Sequence, residues 1–405
     1  MRFQSRFTSR FEPTRFQSRF DVGRDNVFRN QDRLPDGLFF RSLFKDGGKG
    51  ALLNSAVPTA NYQTTAGVTL AGFGDPLGLA LDIKNGVPAP DGPGAHFSQS
   101  TTADRLTRGR QPRTGVRNLL DGSDALTTQS RTVAAVAYTL SFTGTGTVTL
   151  SGASTAGPLV GTGANDRVTL TFTPSAESLT LTVTGSVTLA QLELGSTATA
   201  YQRRVTINDI TEAGVPDVPF YRFNGTNTRL EGNATARDIL KGAPGAEAHA
   251  AVVWTGDSLS GVLGWSTGTA SGQGRFQIQI LGNGSLRVSV RRLDGDSASN
   301  VDTPPGTVTN GVPIIIGGSV DYAGGGAQAL RAYVNGAMIA ETTLSGTGNT
   351  SDTPSLACRL GDGASAGFYF PGQIFREIPI TARVLGTAER SAMIARLAAL
   401  AGVTL

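Results

Sequence analysis

Short runs of alternating apolar and polar residues recur along the chain, most regularly between residues 118 and 202. Apolar residues at every second position predict β-strands with one buried face, because successive side chains of a strand point to opposite sides. Residues 138–142 and 147–150 alternate in this way around Gly144-Thr145-Gly146, which predicts a β-hairpin. Further strands are predicted at 167–172, 179–183 and 187–194. Strands at this spacing predict a small antiparallel sandwich.

A longer series of strand patterns follows between residues 203 and 386. Asn283-Gly284 and Asn335-Gly336 each separate two alternating runs, and Asn-Gly is the dipeptide that two-residue hairpin turns favour. The series predicts a larger sandwich of the jelly-roll type. Its predicted strands are 220–223, 248–254, 275–280, 286–290, 314–322, 329–334, 355–360 and 368–380.

Helical spacing of apolar residues is convincing only near the C-terminus. Thr387 is the predicted N-cap of this helix and Gly402 its predicted end. The apolar residues on one face are Met393, Ile394, Leu397, Leu400 and Ala401. Residues 84–113, rich in Pro, Gly and polar residues, are predicted to be loop or linker. The predicted fold class is all-β, with a jelly-roll or lectin-like sandwich, a smaller inserted sandwich, a basic N-terminal arm and one C-terminal helix.

The composition agrees with many short strands joined by tight turns. The chain holds 53 Gly, and its 16% of charged residues is well below the usual ~25%. Cys358 is the single cysteine, so no disulfide can form within the chain. No apolar stretch reaches the ~20 residues of a membrane span, and the first residues lack the apolar core of a signal peptide.

Residues 1–33 are a repetitive segment in which arginine and phenylalanine recur. The string RFQSRF occurs at 2–7 and again at 15–20, and eight arginines against four acids account for the whole net charge of +4. Six phenylalanines are too many for a solvated linker, so we expect this arm to bury its rings on another protein. The predicted docking residues are Arg2, Phe3, Arg6, Phe7, Arg10, Phe11, Arg15, Phe16, Arg19 and Phe20. A disordered basic tail stays open as the alternative, and nucleic acid is disfavoured because acids are interleaved and lysine is lacking.

Three stretches resemble segments of bacteriophage tail and other virion proteins. AQLELGSTATAYQR at 190–203, closing the unit that contains YTLSFTGTGTVTLSG at 138–152, resembles their small carbohydrate-binding-module-like sandwich. FYRFNGTNTRLEG at 220–232 resembles the opening strand of a concanavalin A-like (laminin G-like) lectin domain, and residues 372–403 resemble its last strand and helix.

Residues 43–82 resemble the segment that precedes the lectin-like domain in that family. The resemblance implies that the smaller sandwich is an insertion. The expected domains are an anchoring arm at 1–42, a segment at 43–113 that is part of the lectin-like domain, an inserted sandwich at 114–204, and the lectin-like sandwich with its helix at 205–405.

The resemblance implies a structural protein of the phage virion, in the tail, fibre or spike. The arm is expected to dock on other virion proteins, and the sandwiches to touch a host-surface glycan. The expected location is the tail or capsid exterior, after assembly in the host cytoplasm, as a homo-oligomer, for which a trimer is one option. Membranes are not expected as partners. The alternatives are a glycan depolymerase and a purely architectural head decoration or tail-tip subunit.

The polar motifs of the chain predict binding and no catalytic residue, so the chain is not expected to be an enzyme. It lacks the E-x-D-x-x-E pattern of jelly-roll glucanases and any framed nucleophile, and both histidines, His96 and His249, are expected to be structural. The rings offered for sugar binding are Trp254, Trp265, Tyr322 and Tyr369. Calcium is the only cofactor suggested, at the loop carboxylates Asp294, Asp296 and Asp362.

Overall fold

A computed structural model describes residues 36–44, 48–268, 273–324, 326–363 and 367–405. The chain is nearly all β in this part, in agreement with the predicted fold class. The predicted docking residues, from Arg2 to Phe20, lie outside the described residues, so the role of the arm stays a prediction. No helix in the described part of the chain has the length and apolar character needed to cross a bilayer.

The described residues contain three α-helices and a long series of β-strands. The helices are α1 (Asp36–Ser42), α2 (Ala234–Arg237) and α3 (Thr387–Ala401). The first strands are β1 (Gly50–Asn54), β2 (Asn61–Tyr62), β3 (Pro76–Leu77), β4 (Leu79–Ala80), β5 (Phe97–Ser98) and β6 (Leu106–Pro112). They are followed by β7 (Gln129–Thr132), β8 (Tyr138–Gly144), β9 (Thr147–Gly152), β10 (Leu159–Val160), β11 (Gly163–Phe172), β12 (Ser178–Thr184) and β13 (Val187–Leu194).

The remaining strands build most of the larger sandwich. They begin with β14 (Gln202–Thr206), β15 (Asp209–Glu212), β16 (Asp217–Asn224), β17 (Leu230–Gly232), β18 (Gly245–Trp254), β19 (Ser260–Ser266), β20 (Gly274–Ile280) and β21 (Leu286–Val290). They end with β22 (Ser299–Asp302), β23 (Ile314–Asp321), β24 (Gly326–Val334), β25 (Ala337–Leu344), β26 (Ala357–Leu360), β27 (Pro371–Phe375) and β28 (Glu377–Thr381).

Two large sheets face each other across the main core. Sheet A has the order β14-β15-β6-β16-β27-β18-β23-β24-β25. In addition, β3 pairs with β6, β28 pairs with β18, and β1 pairs with β28. Sheet B has the order β2-β4-β5-β17-β26-β19-β20-β21-β22. Strands from before residue 113 lie in both sheets, since β6 pairs with β16 and β5 pairs with β17. The segment before the smaller sandwich therefore shares its sheets with the segment after it.

The opposite face of sheet A is covered by helices. Phe220 and Tyr221 are neighbours on β16, and they point to opposite faces as strand geometry requires. Tyr221 packs in the core between the sheets, whereas Phe220 belongs to a second apolar cluster that also contains Phe39 of α1 and Leu397 of α3. The central strands β18 and β23 of sheet A are thus buried on both faces, whereas the edge strand β25 is mostly exposed or half-buried. Sheet B keeps an outer face that these helices do not cover.

Residues 129–194 form two small sheets that enclose a separate apolar core. Sheet C has the order β10-β9-β12-β7, and sheet D has the order β11-β8-β13. Leu140 and Phe142 of sheet D pack with Leu150 and Leu181 of sheet C. The longer segment that holds this region and the strands β14 and β15 begins and ends at one place, because Pro112 pairs with Asp217 and the amide of Arg113 donates to the carbonyl of Pro216 at 2.9 Å.

The hairpin predicted around Gly144-Thr145-Gly146 is wrong, although both of its strands exist. β8 pairs with β11 and β13 in sheet D, whereas β9 pairs with β10 and β12 in sheet C. The turn therefore carries the chain across the sandwich from one sheet to the other. Alternation shows which face of a strand is buried, and it does not identify the neighbouring strand.

Three other local predictions need correction. Residues 106–112 were predicted to be loop, but they form β6, which pairs with β3, β15 and β16. Helix α1 was not predicted, because seven residues are too few to show helical periodicity. The N-cap of α3 is Gly386, one residue before the predicted Thr387, and Glu389 Oε2 accepts a hydrogen bond from the Gly386 amide at 3.2 Å. The end of α3 at Gly402, in the left-handed conformation, is as predicted.

Candidate functional site

Three of the four aromatic rings predicted to bind sugar lie in the core. Trp254 is 3% exposed, and Trp265 and Tyr322 are completely buried. Their polar atoms are satisfied inside the protein, since Trp265 Nε1 donates to Ala236 O at 2.8 Å and Tyr322 OH donates to Arg275 O. The prediction of exposed rings is wrong for these three residues, because they complete apolar alternation toward the core. Tyr369 is half-buried and keeps part of its surface open.

The three carboxylates predicted to bind calcium are engaged elsewhere. Asp294 Oδ1 accepts from Arg275 Nη2 at 2.9 Å, Asp296 Oδ2 accepts from the amide of Leu293 at 2.8 Å, and Asp362 is paired with arginine. Within the described residues, no group of three or more His, Cys, Asp or Glu side chains is arranged to hold a metal ion. These contacts give calcium at Asp294, Asp296 and Asp362 no support, and the cation site stays a prediction.

Asp362 and Tyr369 instead belong to a charged cluster on the outer face of sheet B. We call it the Arg229–Arg359 cluster, and its members are Arg229, Glu231, Arg359, Asp362 and Tyr369. β17 and β26 pair with Leu230 opposite Leu360 and Glu231 opposite Arg359. Both leucines are buried in the core, so the alternation of the strands places Glu231 and Arg359 together on the outer face.

Arg229 and Arg359 share the carboxylates of the cluster. Arg229 Nε donates to Glu231 Oε1 at 2.8 Å, and its Nη1 donates to Tyr369 OH at 2.6 Å. Arg359 Nη1 donates to Asp362 Oδ2 at 3.1 Å, and Arg229 Nη1 lies 3.8 Å from the same oxygen. The two guanidinium groups therefore converge on one buried carboxylate.

Gly361 turns the chain after β26 and brings Asp362 to this position. Its φ is +81°, a conformation that favours glycine, and an added Cβ would lie 2.1 Å from the ring of Phe223. Asp362 is completely buried, and its Oδ1 has no hydrogen-bond partner among the described residues. The fold thus holds a carboxylate with an unused oxygen beneath the two arginines.

Burial dominates the electrostatics of Asp362. It raises the pKa of this carboxyl from 3.8 to about 6, although the charges of Arg359 and Arg229 act in the opposite direction. For Arg229, burial alone would lower the pKa, but the hydrogen bond to Glu231 and the nearby acids raise it overall. Arg229 is therefore charged at neutral pH, while Asp362 changes charge in mildly acidic solution.

The cluster keeps capacity to bind a ligand. The side chains of Arg229 and Arg359 are 20% and 21% exposed, and that of Glu231 is 45% exposed. The Nη2 groups of both arginines have no hydrogen-bond partner among the described residues. These two Nη2 groups, the partly exposed Glu231 carboxylate and part of the Tyr369 ring can together contact a polar ligand that offers several oxygen atoms.

Arg229, Glu231 and Arg359 were not among the predicted site residues. The available signal was local: in Arg229-Leu230-Glu231 and in Arg359-Leu360, charged residues flank a core leucine on a strand. That pattern identifies an outer face but not the partner strand. Only the pairing of β17 with β26 brings the segments near residues 230 and 360 together.

Both histidines have structural surroundings, as expected. His249 Nε2 lies 2.9 Å from Glu247 Oε1 in a completely buried network beneath α3. His96 Nδ1 accepts a hydrogen bond from the amide of Asp82 at 3.0 Å, and its Nε2 lies 3.1 Å from Gly92 O. Each imidazole thus links neighbouring chain segments.

No family model and no curated protein matches the chain. Among solved structures, it is similar to the Ruminococcus gnavus IT-sialidase CBM40 bound to α2,3-sialyllactose, at 21% identity and a TM-score of 0.33, covering 40% of this chain and 86% of that one. It is also similar to a leech intramolecular trans-sialidase, at 20% identity and a TM-score of 0.33, covering 43% of this chain and 25% of that enzyme. TM-scores of this size are too low to assign a family or a ligand.

Proposed function

We propose that the chain is a glycan-binding protein without enzymatic activity, and that the Arg229–Arg359 cluster binds an acidic sugar. The observation that carries this proposal is the pair of partly exposed guanidinium groups whose Nη2 atoms donate to none of the described residues. Arginine presents planar, parallel donors that match the two oxygens of a carboxylate. Tyr369 offers an apolar ring edge beside them, which suits the aliphatic face of a sugar.

The open part of the cluster also suits the hydroxyl groups of a sugar. Glu231 can accept hydrogen bonds from hydroxyls while the arginines donate to them. Because most of these groups already hold one another, little side-chain entropy is lost when a ligand binds.

A glycan array containing acidic and neutral glycans, followed by calorimetry on the bound ones, tests the proposal. We expect acidic glycans to bind and Arg359→Ala to weaken them about tenfold or more, since hydrogen bonds to charged groups contribute about 1.5–3 kcal/mol. Arg287→Ala is the matched control, because Arg287 lies on β21 of the same sheet and forms a surface ion pair with Asp302 at 2.6 Å. Equal losses in both variants, or no glycan binding, would refute the site.

The same preparation addresses the depolymerase alternative. We expect no release of reducing sugar from a bound polysaccharide. Release that survives Arg359→Ala would assign the chain an enzymatic activity at another place and would contradict this proposal.

We also propose that the chain is a component of a bacteriophage virion, in a tail, fibre or spike, and that its arm docks it to other virion proteins. The support is the repeated RFQSRF at 2–7 and 15–20, which combines rings that favour burial with guanidinium groups that favour acidic partners. Its expected location is the exterior of the particle, where it displays the glycan site as a homo-oligomer.

Particle assembly with an arm variant tests this second proposal. Replacing Phe3, Phe7, Phe11, Phe16 and Phe20 by Ser should abolish incorporation into particles, while glycan binding by the free protein stays unchanged. Incorporation at the normal level would contradict docking through the arm. Mass measurement of the free protein would give its oligomeric state.

A further inference from the structure

Asp362 occupies a position that matters for any ligand of the Arg229–Arg359 cluster. Its Oδ2 is paired with Arg359 Nη1 at 3.1 Å and lies 3.8 Å from Arg229 Nη1. These two arginines are the side chains that bind the ligand in the proposed function. The carboxylate is completely buried, so water cannot screen it from charges nearby. The positive charge of the arginines that a ligand contacts is therefore already partly neutralised by the buried Asp362 carboxylate.

The charged groups around Asp362 come from three segments. β26 contributes Arg359, the region of β17 contributes Arg229 and Glu231, and the segment after residue 367 contributes Tyr369. The neighbouring strand β19 packs glycine here, since an added Cβ on Gly261 would lie 2.5 Å from the carbonyl carbon of Asp362. Two arginines thus face two acids, and the cluster is neutral when both acids are ionised.

An anionic group on the two Nη2 donors would disturb this balance. It would add a negative charge close to a buried carboxylate, and two like charges in a poorly solvated site raise the proton affinity of the titrating group. A proton from solvent would bond to Asp362 Oδ1, the oxygen that has no hydrogen-bond partner among the described residues. The ligand anion then replaces the Asp362 anion as the counterion of the arginines.

We infer that Asp362 is the specificity-determining residue of the site, and that it admits an anionic sugar to the two arginines by taking up one proton. This inference rests on the proposed function and adds its regulation. A neutral sugar requires no such exchange, because it leaves the ion pairs of Asp362 in place. The site therefore favours acidic glycans increasingly as the solution becomes more acidic.

The size of the effect follows from the titration of Asp362. Burial raises the pKa of this carboxyl to about 6, so its protonated fraction falls from about nine-tenths at pH 5 to about one-tenth at pH 7. The dissociation constant of an acidic glycan should accordingly rise about tenfold between these pH values. A neutral glycan should bind with the same affinity at both.

Calorimetry on the full chain tests the inference, with α2,3-sialyllactose as the acidic probe and lactose as its neutral match. In two buffers of different ionisation enthalpy at pH 7, the apparent binding heat of sialyllactose should differ by the uptake of about one proton. Sialyllactose should bind about tenfold more tightly at pH 5 than at pH 7. The heat of any lactose binding should not depend on the buffer.

Asp362→Asn provides the matched variant, because asparagine has the same shape and carries no titrating charge. It should bind sialyllactose with an affinity that is independent of pH and without proton uptake. If the wild-type chain binds with equal affinity at both pH values and without proton uptake, the inference is overturned while the glycan site stands. If no acidic glycan binds at any pH, the proposed function itself fails. Should the variant not fold, the buffer dependence of the wild-type heat still decides.

Discussion

Arg390 of α3 donates from Nε and Nη2 to the two carboxylate oxygens of Glu247 on β18, at 2.6 and 2.8 Å. Glu247 is completely buried and also accepts a hydrogen bond from the Leu385 amide at 2.8 Å. Burial alone would raise the pKa of this carboxyl, but hydrogen bonds from His249 and Arg390 outweigh it and lower the pKa. This bidentate pair fixes the C-terminal helix to sheet A.

Removal of Arg390 should therefore destabilise the protein strongly. Arg390→Met leaves the Glu247 charge buried with fewer partners, and loss of one member of a buried ion pair costs about 3–5 kcal/mol. Urea denaturation followed by circular dichroism measures the loss. Arg287→Ala, which removes a surface ion pair, should cost less than about 1 kcal/mol. Similar costs for the two variants would contradict the anchoring role.

The pH dependence of stability should carry a contribution from Asp362 of unusual sign. Its pKa rises from 3.8 to about 6 on folding, so the folded state binds more protons than the unfolded state between these values. Stability from this residue is present below pH 3.8 and is lost as pH rises toward about 6. Thermal denaturation should show a smaller decrease over this interval for Asp362→Asn than for the wild type. Parallel curves would exclude the contribution.

Substitutions of Trp265 and Tyr369 should affect different properties, namely stability for Trp265 and glycan binding for Tyr369. Trp265→Ala removes a completely buried ring and should cost about 3–5 kcal/mol of stability. Tyr369→Phe removes only the hydroxyl that accepts from Arg229, so its stability should change by less than about 1.5 kcal/mol while acidic-glycan affinity decreases. Chemical denaturation and calorimetry of both variants measure the two effects. A stable Trp265→Ala protein with lost binding would contradict the core assignment.

Gly361→Ala should disturb both the fold and the site. Gly361 has a left-handed φ of +81°, and a methyl group would meet the Phe223 ring. Gly214 is the matched control, since its φ is +78° and an added Cβ meets no atom within 4 Å. Gly214→Ala should cost about 1–2 kcal/mol from the backbone alone, and Gly361→Ala should cost more and also weaken glycan binding. Equal unfolding midpoints would indicate that the Phe223 contact is easily relieved.

Sequence patterns were most informative where a local signal also fixes the pairing. Asn335-Gly336 adopts left-handed φ values of 46° and 84° and joins β24 to β25 as a hairpin, as predicted. Gly144-Thr145-Gly146 lies between equally regular strands, yet it crosses between sheets. Whether two strands pair across such a turn depends on packing at a distance, which alternation alone does not show.

Strand β6 was not predicted, because several of its residues are polar and Arg108 is buried with its hydrogen-bond partners. Arg108 lies in the middle of β6 and is buried, because its Nε donates to Ser55 O at 2.8 Å and its Nη1 donates to Ala71 O at 2.6 Å. A sequence pattern treats such an arginine as exposed. The candidate site was missed for a related reason, since Arg229 and Arg359 become neighbours only through the register of two short strands.

The hydrogen bond between the Arg113 amide and the Pro216 carbonyl makes the intervening segment easy to exchange or delete during evolution. The backbone atoms that bracket the smaller sandwich and the strands β14 and β15 are already hydrogen-bonded neighbours. A tight two-residue turn would be enough to reconnect them, and closing such a short loop requires little ordering of the chain. Recombination can therefore exchange or delete the smaller sandwich together with the edge strands β14 and β15, while the register of β6 against β16 is preserved.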